Sequence, residues 1–101
     1  MSSSVDAFMK VGAQEAASFL RLLSNENRLL ILCLLIQHKE LSAGAINEHL
    51  LLSQPALSQH LSKMREEGLI TFRRDAQTLY YRIDNPHVKT LVATLRTIFC
   101  P

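Results

Sequence analysis

The chain has 101 residues, of which 48% are hydrophobic and 20% charged, and its formal net charge at pH 7 is +2. This length allows one domain rather than two, and the composition is typical of a globular protein and excludes a disordered one. The longest apolar run, residues 29–36, is eight residues long, against the ~20 needed to span a bilayer, so we expect no transmembrane helix. The first residues show neither a basic nor an apolar signal segment, so we expect a cytoplasmic protein.

Apolar residues in the first part of the chain recur at steps of three and four, which is the period of an amphipathic helix. This pattern predicts a first helix over residues 6–23. Ser24 and Asn25 interrupt the pattern and can cap a second helix that continues to about His38. Residues 29–36 of that helix are apolar on every side and mostly Leu, which favours a central helix over a buried strand.

A short third helix is predicted to begin at Ser42, and a turn at residues 51–53 separates it from a fourth helix. Ser53 is a suitable N-cap for the fourth helix, predicted over residues 54–67, and Gly68 is a suitable C-terminal stop. The apolar residues of this helix share one face and are predicted to lie in the core: Leu57, Leu61 and Met64.

After residue 68 the period of the pattern changes from 3.6 to 2. Two β-rich runs, 69–74 and 78–83, flank residues 75–77 and predict a hairpin. Asn85 and Pro86 then open a last helix with a continuous apolar stripe. The predicted fold is therefore mainly α with a β-hairpin wing, in the order α-α-α-α-β-β-α. This is one winged helix-turn-helix domain over residues 1–101.

The predicted helix-turn-helix and hairpin have a net positive charge, because residues 53–83 hold five Lys or Arg against three Asp or Glu. In this motif the N-terminal end of the second helix enters the major groove of DNA, where Gln and Ser can contact base edges. Arg and Gln at a hairpin tip suit contacts to the DNA backbone or minor groove. The predicted DNA-binding residues are Ser53, Gln54, Ser58, Gln59, Ser62 and Lys63 in the helix and Arg73, Arg74 and Gln77 in the hairpin.

Two features of the fourth helix favour more ordinary roles. His60 lies close to the apolar face by helical geometry, so we expect it to pack and to form a hydrogen bond rather than to contact a base. The outer face of any solvated helix is polar, so a winged helix that contacts only other proteins stays an alternative to DNA binding.

The first and last helices carry apolar stripes that are wide for a chain of this size. Packing against a second copy of the chain would bury both stripes, so we predict a homodimer through these two helices. A two-fold dimer would also set its two recognition helices one DNA turn apart, ~34 Å. The alternative is that both helices complete the core of a monomer.

Over nearly its whole length the chain resembles the ArsR/SmtB family of dimeric winged-helix repressors. The resemblance is carried by NENRLLIL at residues 25–32, ELS at 40–42, LSQPALSQHL at 52–61, EGLI at 67–70 and YYRI at 80–83. It implies a homodimeric transcriptional regulator whose partner is double-stranded DNA at a promoter operator. An enzyme is not expected, because the sequence has no Gly-rich phosphate loop, no paired carboxylates in a plausible cleft and no Ser/His/Asp set on one face.

Many members of this family sense metals, and their sites can be compared with this sequence by position. The cysteines of one family site fall on Ser42, Ala43 and Gly44. A second family site uses Asp and His at the start of the last helix, matched by Asp84 and His87, but no His, Asp or Glu follows them. Two lone ligands hold a transition metal weakly, so we expect no metal and no cofactor. A metal-responsive repressor stays an alternative.

The two cysteines have different interpretations with and without the resemblance. Taken alone, Cys33 in an apolar helix is typical of a core residue. Cys100, the penultimate residue, is then interpreted as a cysteine without a particular role. A persulfide- and redox-sensing branch of the family has one cysteine in each of these two helices, and ILC at 31–33 and FCP at 99–101 resemble that branch. The resemblance implies that Cys33 and Cys100 sense low-molecular-weight persulfides or oxidants through a di- or polysulfide bridge that releases DNA.

Overall fold

A computed structural model describes residues 2–100, with side chains from Val5 onward. The chain begins with one continuous helical run made of α1 (Ser2–Ala7), a π-helical turn (Phe8–Gly12) and α2 (Ala13–Leu23). The predicted end of the first helix at residue 23 is confirmed. Its predicted start at residue 6 is wrong by four residues, and the π-helical turn was not predicted.

The π-helical turn is built around one glycine. The N–H of Ala13 donates to the carbonyl oxygen of Phe8, five residues earlier, which widens the helix by one residue. A Cβ at Gly12 would lie only 2.9 Å from Cδ1 of Phe8. The absence of a side chain at Gly12 therefore makes room for the Phe8 ring.

Four further helices follow: α3 (Glu26–His38), α4 (Ala43–Glu48), α5 (Gln54–Glu66) and α6 (Pro86–Phe99). Each begins at a residue whose side-chain oxygen accepts a hydrogen bond from a backbone N–H of the first turn, which stabilises a helix start. These N-cap residues are Asn25, Ser42, Ser53 and Asn85. Of the two residues predicted to cap α3, Asn25 is the cap and Ser24 is not, and the predicted cap Ser53 of α5 is confirmed.

The C-terminal end of α5 is fixed by a glycine with positive φ. Gly68 has φ of 77°, a conformation that residues with a side chain rarely adopt. Its N–H donates to the carbonyl of Arg65, and the N–H of Leu69 donates to that of Met64 at 2.9 Å. This pair of bonds is a Schellman motif. It turns the chain directly from α5 into the wing, as the sequence predicted.

The sheet has three antiparallel strands, β1 (Leu41–Ser42), β2 (Ile70–Asp75) and β3 (Thr78–Ile83), in the order β1-β3-β2. The predicted hairpin is confirmed, with Ala76 at positive φ in its two-residue turn. The prediction of only two strands is wrong, because β1 pairs with β3. A two-residue strand is too short to show an alternating pattern in the sequence, and its second residue is also the N-cap of α4.

The core lies where α3, α4, α5, α6 and the base of the wing meet. Its most deeply buried side chains are Ile31, Leu32 and Leu35 of α3, Ile46 of α4, Leu57, Leu61 and Met64 of α5, Leu69 and Ile70 at the wing, and Val88 and Val92 of α6. The central position of α3 and the inward face of α5 are therefore confirmed. Within the described residues, none of the helices is long and apolar enough to cross a membrane.

Candidate nucleic-acid interface

The outer face of α5 carries the predicted base-contacting residues. With three residues of α5 buried in the core, the six predicted helix residues are all exposed: Ser53, Gln54, Ser58, Gln59, Ser62 and Lys63. Four of them, together with Glu66, line a shallow surface depression of about 340 Å³. The structure therefore brings these side chains together on one polar surface, which we call the α5 face.

Two residues of the α5 face have partners within the chain. The Ser53 hydroxyl oxygen accepts a hydrogen bond from the N–H of Ala56 at 3.2 Å, so it holds the start of the helix. Lys63 forms an exposed ion pair with Glu67, with 3.5 Å between Nζ and Oε1. Exposed pairs one turn apart are weak, so this ammonium group can exchange its partner for a phosphate.

Arg73 and Arg74, the two wing arginines predicted to contact DNA, differ in their contacts within the chain. Neighbouring residues of a strand project from opposite faces of the sheet. Arg74 is exposed, and no ion pair or side-chain hydrogen bond involves it among the described residues. Arg73 donates to both carboxylate oxygens of Glu40, at 2.7 to 3.0 Å. Gln77 is exposed in the turn of the hairpin, so the structure brings Arg74 and Gln77 to the end of the wing with their polar groups available.

Arg28 joins α5 to the helices behind it. Its Nε–H donates to Nδ1 of His60 at 3.2 Å, and a second nitrogen donates to the carbonyl of Leu22 at 3.0 Å, near the end of α2. His60 is partly buried, so its predicted packed, hydrogen-bonded position is confirmed. Burial lowers the pKa of His60 below its ordinary 6.5, and the nearby charge of Arg28 lowers it further.

The two cysteines are both free thiols and lie in different surroundings. Cys33 is partly buried, packs against the core and lines an apolar depression of about 560 Å³ beside Leu29 and Leu30. Cys100 is exposed just after α6 and lies beside Arg96. The helices α3 and α6 pack against each other, but Cys100 does not line the depression that Cys33 lines.

The geometry of a helix-turn-helix followed by a basic hairpin agrees with comparisons to known proteins. A family model described as "Bacterial regulatory protein, arsR family" matches residues 25–71. The HTH-type transcriptional regulator YgaV of Escherichia coli (strain K12) is 44% identical over 95 residues, covering 94% of this chain and 96% of that protein. The chain belongs to the ArsR family.

Solved structures agree with this assignment to the ArsR family. Reduced HlyU from Vibrio cholerae matches with a TM-score of 0.85 and 40% identity, covering 92% of this chain and 97% of that one. The transcriptional repressor BigR from Xylella fastidiosa matches with a TM-score of 0.85 and 35% identity, covering 95% and 97%. The winged helix-turn-helix fold is therefore confirmed, and this ArsR-family chain is a DNA-binding transcriptional regulator. Its family is one of bacterial regulatory proteins.

The two residues that match one ArsR-family metal site lie at the surface. Asp84 and His87 are both exposed near the start of α6. Among the described residues, no three His, Cys, Asp or Glu side chains lie close enough together to hold a metal ion.

Sequence reasoning missed two residues that hold α5 and the wing in place. Glu40 and Arg28 were not predicted as site residues, yet one binds the wing and the other binds α5. Their partners lie 33 and 32 positions away in the chain. No local pattern marks such pairs, although an Arg or Glu at the edge of an apolar run could have suggested them.

The Arg28–His60 contact predicts a pH dependence of stability. A protonated His60 cannot accept the Arg28 hydrogen bond and faces a like charge. Because its folded pKa lies below the unfolded value near 6.5, the stabilisation is complete above that value and is lost as the pH falls towards the folded pKa. Urea unfolding should give a free energy that falls as the pH is lowered below about 6.5. This drop should be smaller in His60→Gln and unchanged in the exposed control His87→Gln. An equal drop in all three proteins would contradict the assignment.

Proposed function

We propose that this protein binds promoter DNA as a homodimer and represses transcription in the cytoplasm. In this proposal the N-terminal half of α5 enters the major groove, and Gln54, Ser58 and Gln59 contact base edges. Ser53, Ser62 and Lys63 contact the DNA backbone beside the groove. In the wing, Arg73, Arg74 and Gln77 are the candidates for further DNA contacts. The observation that carries the proposal is the α5 face, which is capped by Ser53, polar and exposed.

The homodimer is supported by the exposed apolar residues of the helices at the two ends of the chain. Large hydrophobic side chains that are more than half exposed occur in the first helical run (Val5, Phe8, Met9, Val11 and Leu20) and in α6 (Ile98 and Phe99). An apolar surface of this kind is typical of a protein interface. A second copy of the chain would cover it and give the two α5 helices the two-fold arrangement that a palindromic operator needs.

The salt dependence of DNA affinity tests this proposal. The probe is a duplex that the wild-type protein selects from a pool of random sequences. Because each phosphate contact releases counterions, about six to ten contacts would lower the affinity on the order of 10³- to 10⁵-fold between about 50 and 200 mM salt. Fluorescence anisotropy titrations measure this loss and the slope of log affinity against log salt.

A matched pair of lysine variants adds a residue-level test. Lys63→Gln should reduce the slope by about 0.9 for each phosphate contact that it removes. Lys89→Gln removes the same charge from an exposed position on α6 and should leave the slope unchanged. If the selection yields no duplex, or if affinity does not depend on salt, the protein is a winged helix used for protein contacts.

We further propose that Cys33 and Cys100 make DNA binding responsive to persulfides. The support is the branch resemblance, the free state of both thiols and the packing of α3 against α6. A bridge between the cysteines would tie a core helix to an interface helix and change the spacing of the two recognition helices. Since several phosphate contacts depend on that spacing, affinity for DNA would fall.

The chemistry of this response needs only thiolates and a low-molecular-weight persulfide, R–S–SH. The Cys33 thiolate attacks the terminal sulfur, R–SH leaves, and Cys33 carries a persulfide. The Cys100 thiolate then attacks the Cys33 sulfur and displaces hydrosulfide, which leaves a disulfide. The two cysteines lose two electrons, and the transferred sulfur gains them. If a second sulfur is first transferred to the Cys33 persulfide, the Cys100 thiolate attacks the sulfur bonded to Sγ of Cys33 instead, hydrosulfide leaves, and the bridge is a trisulfide.

A further inference from the structure

The Glu40–Arg73 pair spans the three-stranded sheet. Arg73 lies in the edge strand β2 and pairs with Tyr80 in the central strand, while Glu40 comes just before β1 on the far side. The guanidinium carbon of Arg73 lies 4.6 Å above the centre of the Tyr80 ring. The Arg73 side chain therefore crosses the central strand to reach Glu40 and links the two edges of the sheet.

The guanidinium group of Arg73 already faces two carboxylates of the chain. Its Nε and one terminal nitrogen donate to the Glu40 carboxylate, at 2.7 to 3.0 Å. The remaining nitrogen lies 3.9 Å from the carboxylate of Asp75. The hydrogen bonds from Arg73 lower the pKa of Glu40, so the Glu40 carboxylate stays charged at neutral pH. Two carboxylates therefore already balance the charge of Arg73, whereas no ion pair involves Arg74 among the described residues.

We propose that Glu40 and Arg73 are positioning residues that set the angle of the wing, and that Arg74 makes the wing's phosphate contact. This inference rests on the DNA-binding function proposed above. An exposed ion pair on its own adds little to stability. A bidentate arginine–carboxylate pair stacked on an aromatic ring, however, fixes the direction of the arginine side chain. Its effect is therefore on where the end of the wing lies relative to the α5 face. The earlier prediction that Arg73 itself contacts DNA is the competing hypothesis.

The slope of log affinity against log salt distinguishes an arginine that contacts phosphate from one that positions the wing, because only a phosphate contact contributes to that slope. On the duplex selected by the wild-type protein, Arg74→Gln should lower the slope by about 0.9 for each wing that contacts a phosphate. Arg73→Gln and Glu40→Gln should leave the slope unchanged and weaken affinity about threefold to tenfold, as expected for a lost coupled contact. The charge-swapped variant Glu40→Arg/Arg73→Glu should recover most of that affinity.

Three results would overturn the inference. These are an equal loss of slope in Arg73→Gln and Arg74→Gln, tighter binding by Glu40→Gln, and a swapped variant as weak as the single variants. Amide hydrogen exchange of the strands supplies a readout without DNA, since loss of the pair should speed exchange at the β1–β3 pairing. If the wild-type protein selects no duplex at all, the proposed function fails, and the exchange measurement still decides whether the pair holds the wing.

Discussion

Replacing Cys33 by serine should abolish the response to persulfide and leave the DNA affinity of the reduced protein unchanged. The substitution removes the sulfur that accepts the first sulfur atom, while Cys33 lies in α3, on neither the α5 face nor the wing. In the wild-type protein, glutathione persulfide should weaken binding to the selected duplex by about 5- to 150-fold, the usual size of coupling between two sites. Anisotropy titrations before and after treatment measure both quantities.

Matched variants keep this test decisive. Cys33 packs against the core, so Cys33→Ala is the control for any destabilisation by a serine hydroxyl. Cys100→Ser should accept sulfur at Cys33 but form no bridge within the chain, which intact mass and peptide mapping can detect. A full response in Cys33→Ser would disprove the paired-thiol hypothesis. If peroxide alone joins the two cysteines, the protein is a general oxidant sensor. If neither reagent joins them, the cysteines are packing and tail residues.

Replacing Ile46 by alanine should destabilise the fold by about 2 to 5 kcal/mol, a large share of the roughly 5 to 15 kcal/mol that holds a domain together. Ile46 is completely buried and is the one buried residue of the six-residue helix α4. The cost combines the lost burial of its side chain with the cavity that remains. Because α4 packs against α5, the α5 face should lose its support as the protein unfolds.

The neighbouring turn supplies a control for this substitution. Leu51 is fully exposed between α4 and α5, so Leu51→Ala should change the free energy of unfolding by less than about 0.5 kcal/mol. Urea unfolding at one fixed protein concentration measures both variants, because assembly would make stability depend on concentration. Equal effects of the two substitutions would mean that α4 is not part of the cooperative core.

Much of the fold and of the α5 face could be predicted because the signals are local. A cap, a helical stripe and a strand alternation each depend on residues a few positions apart. Ser53 predicts the start of α5, Gly68 predicts its end, and the spacing of Leu57, Leu61 and Met64 decides which side faces solvent. These predictions are confirmed by the structure.

The sequence by itself therefore determined the order of the helices, the hairpin and the polar face of α5. Only the tertiary structure decided which of two adjacent arginines is engaged within the chain, that β1 joins the sheet, and how Arg28 binds His60. The physical reason is distance along the chain. An ion pair between residues 33 positions apart exists only after packing brings the two elements together, and no periodicity or capping preference of either segment encodes that meeting.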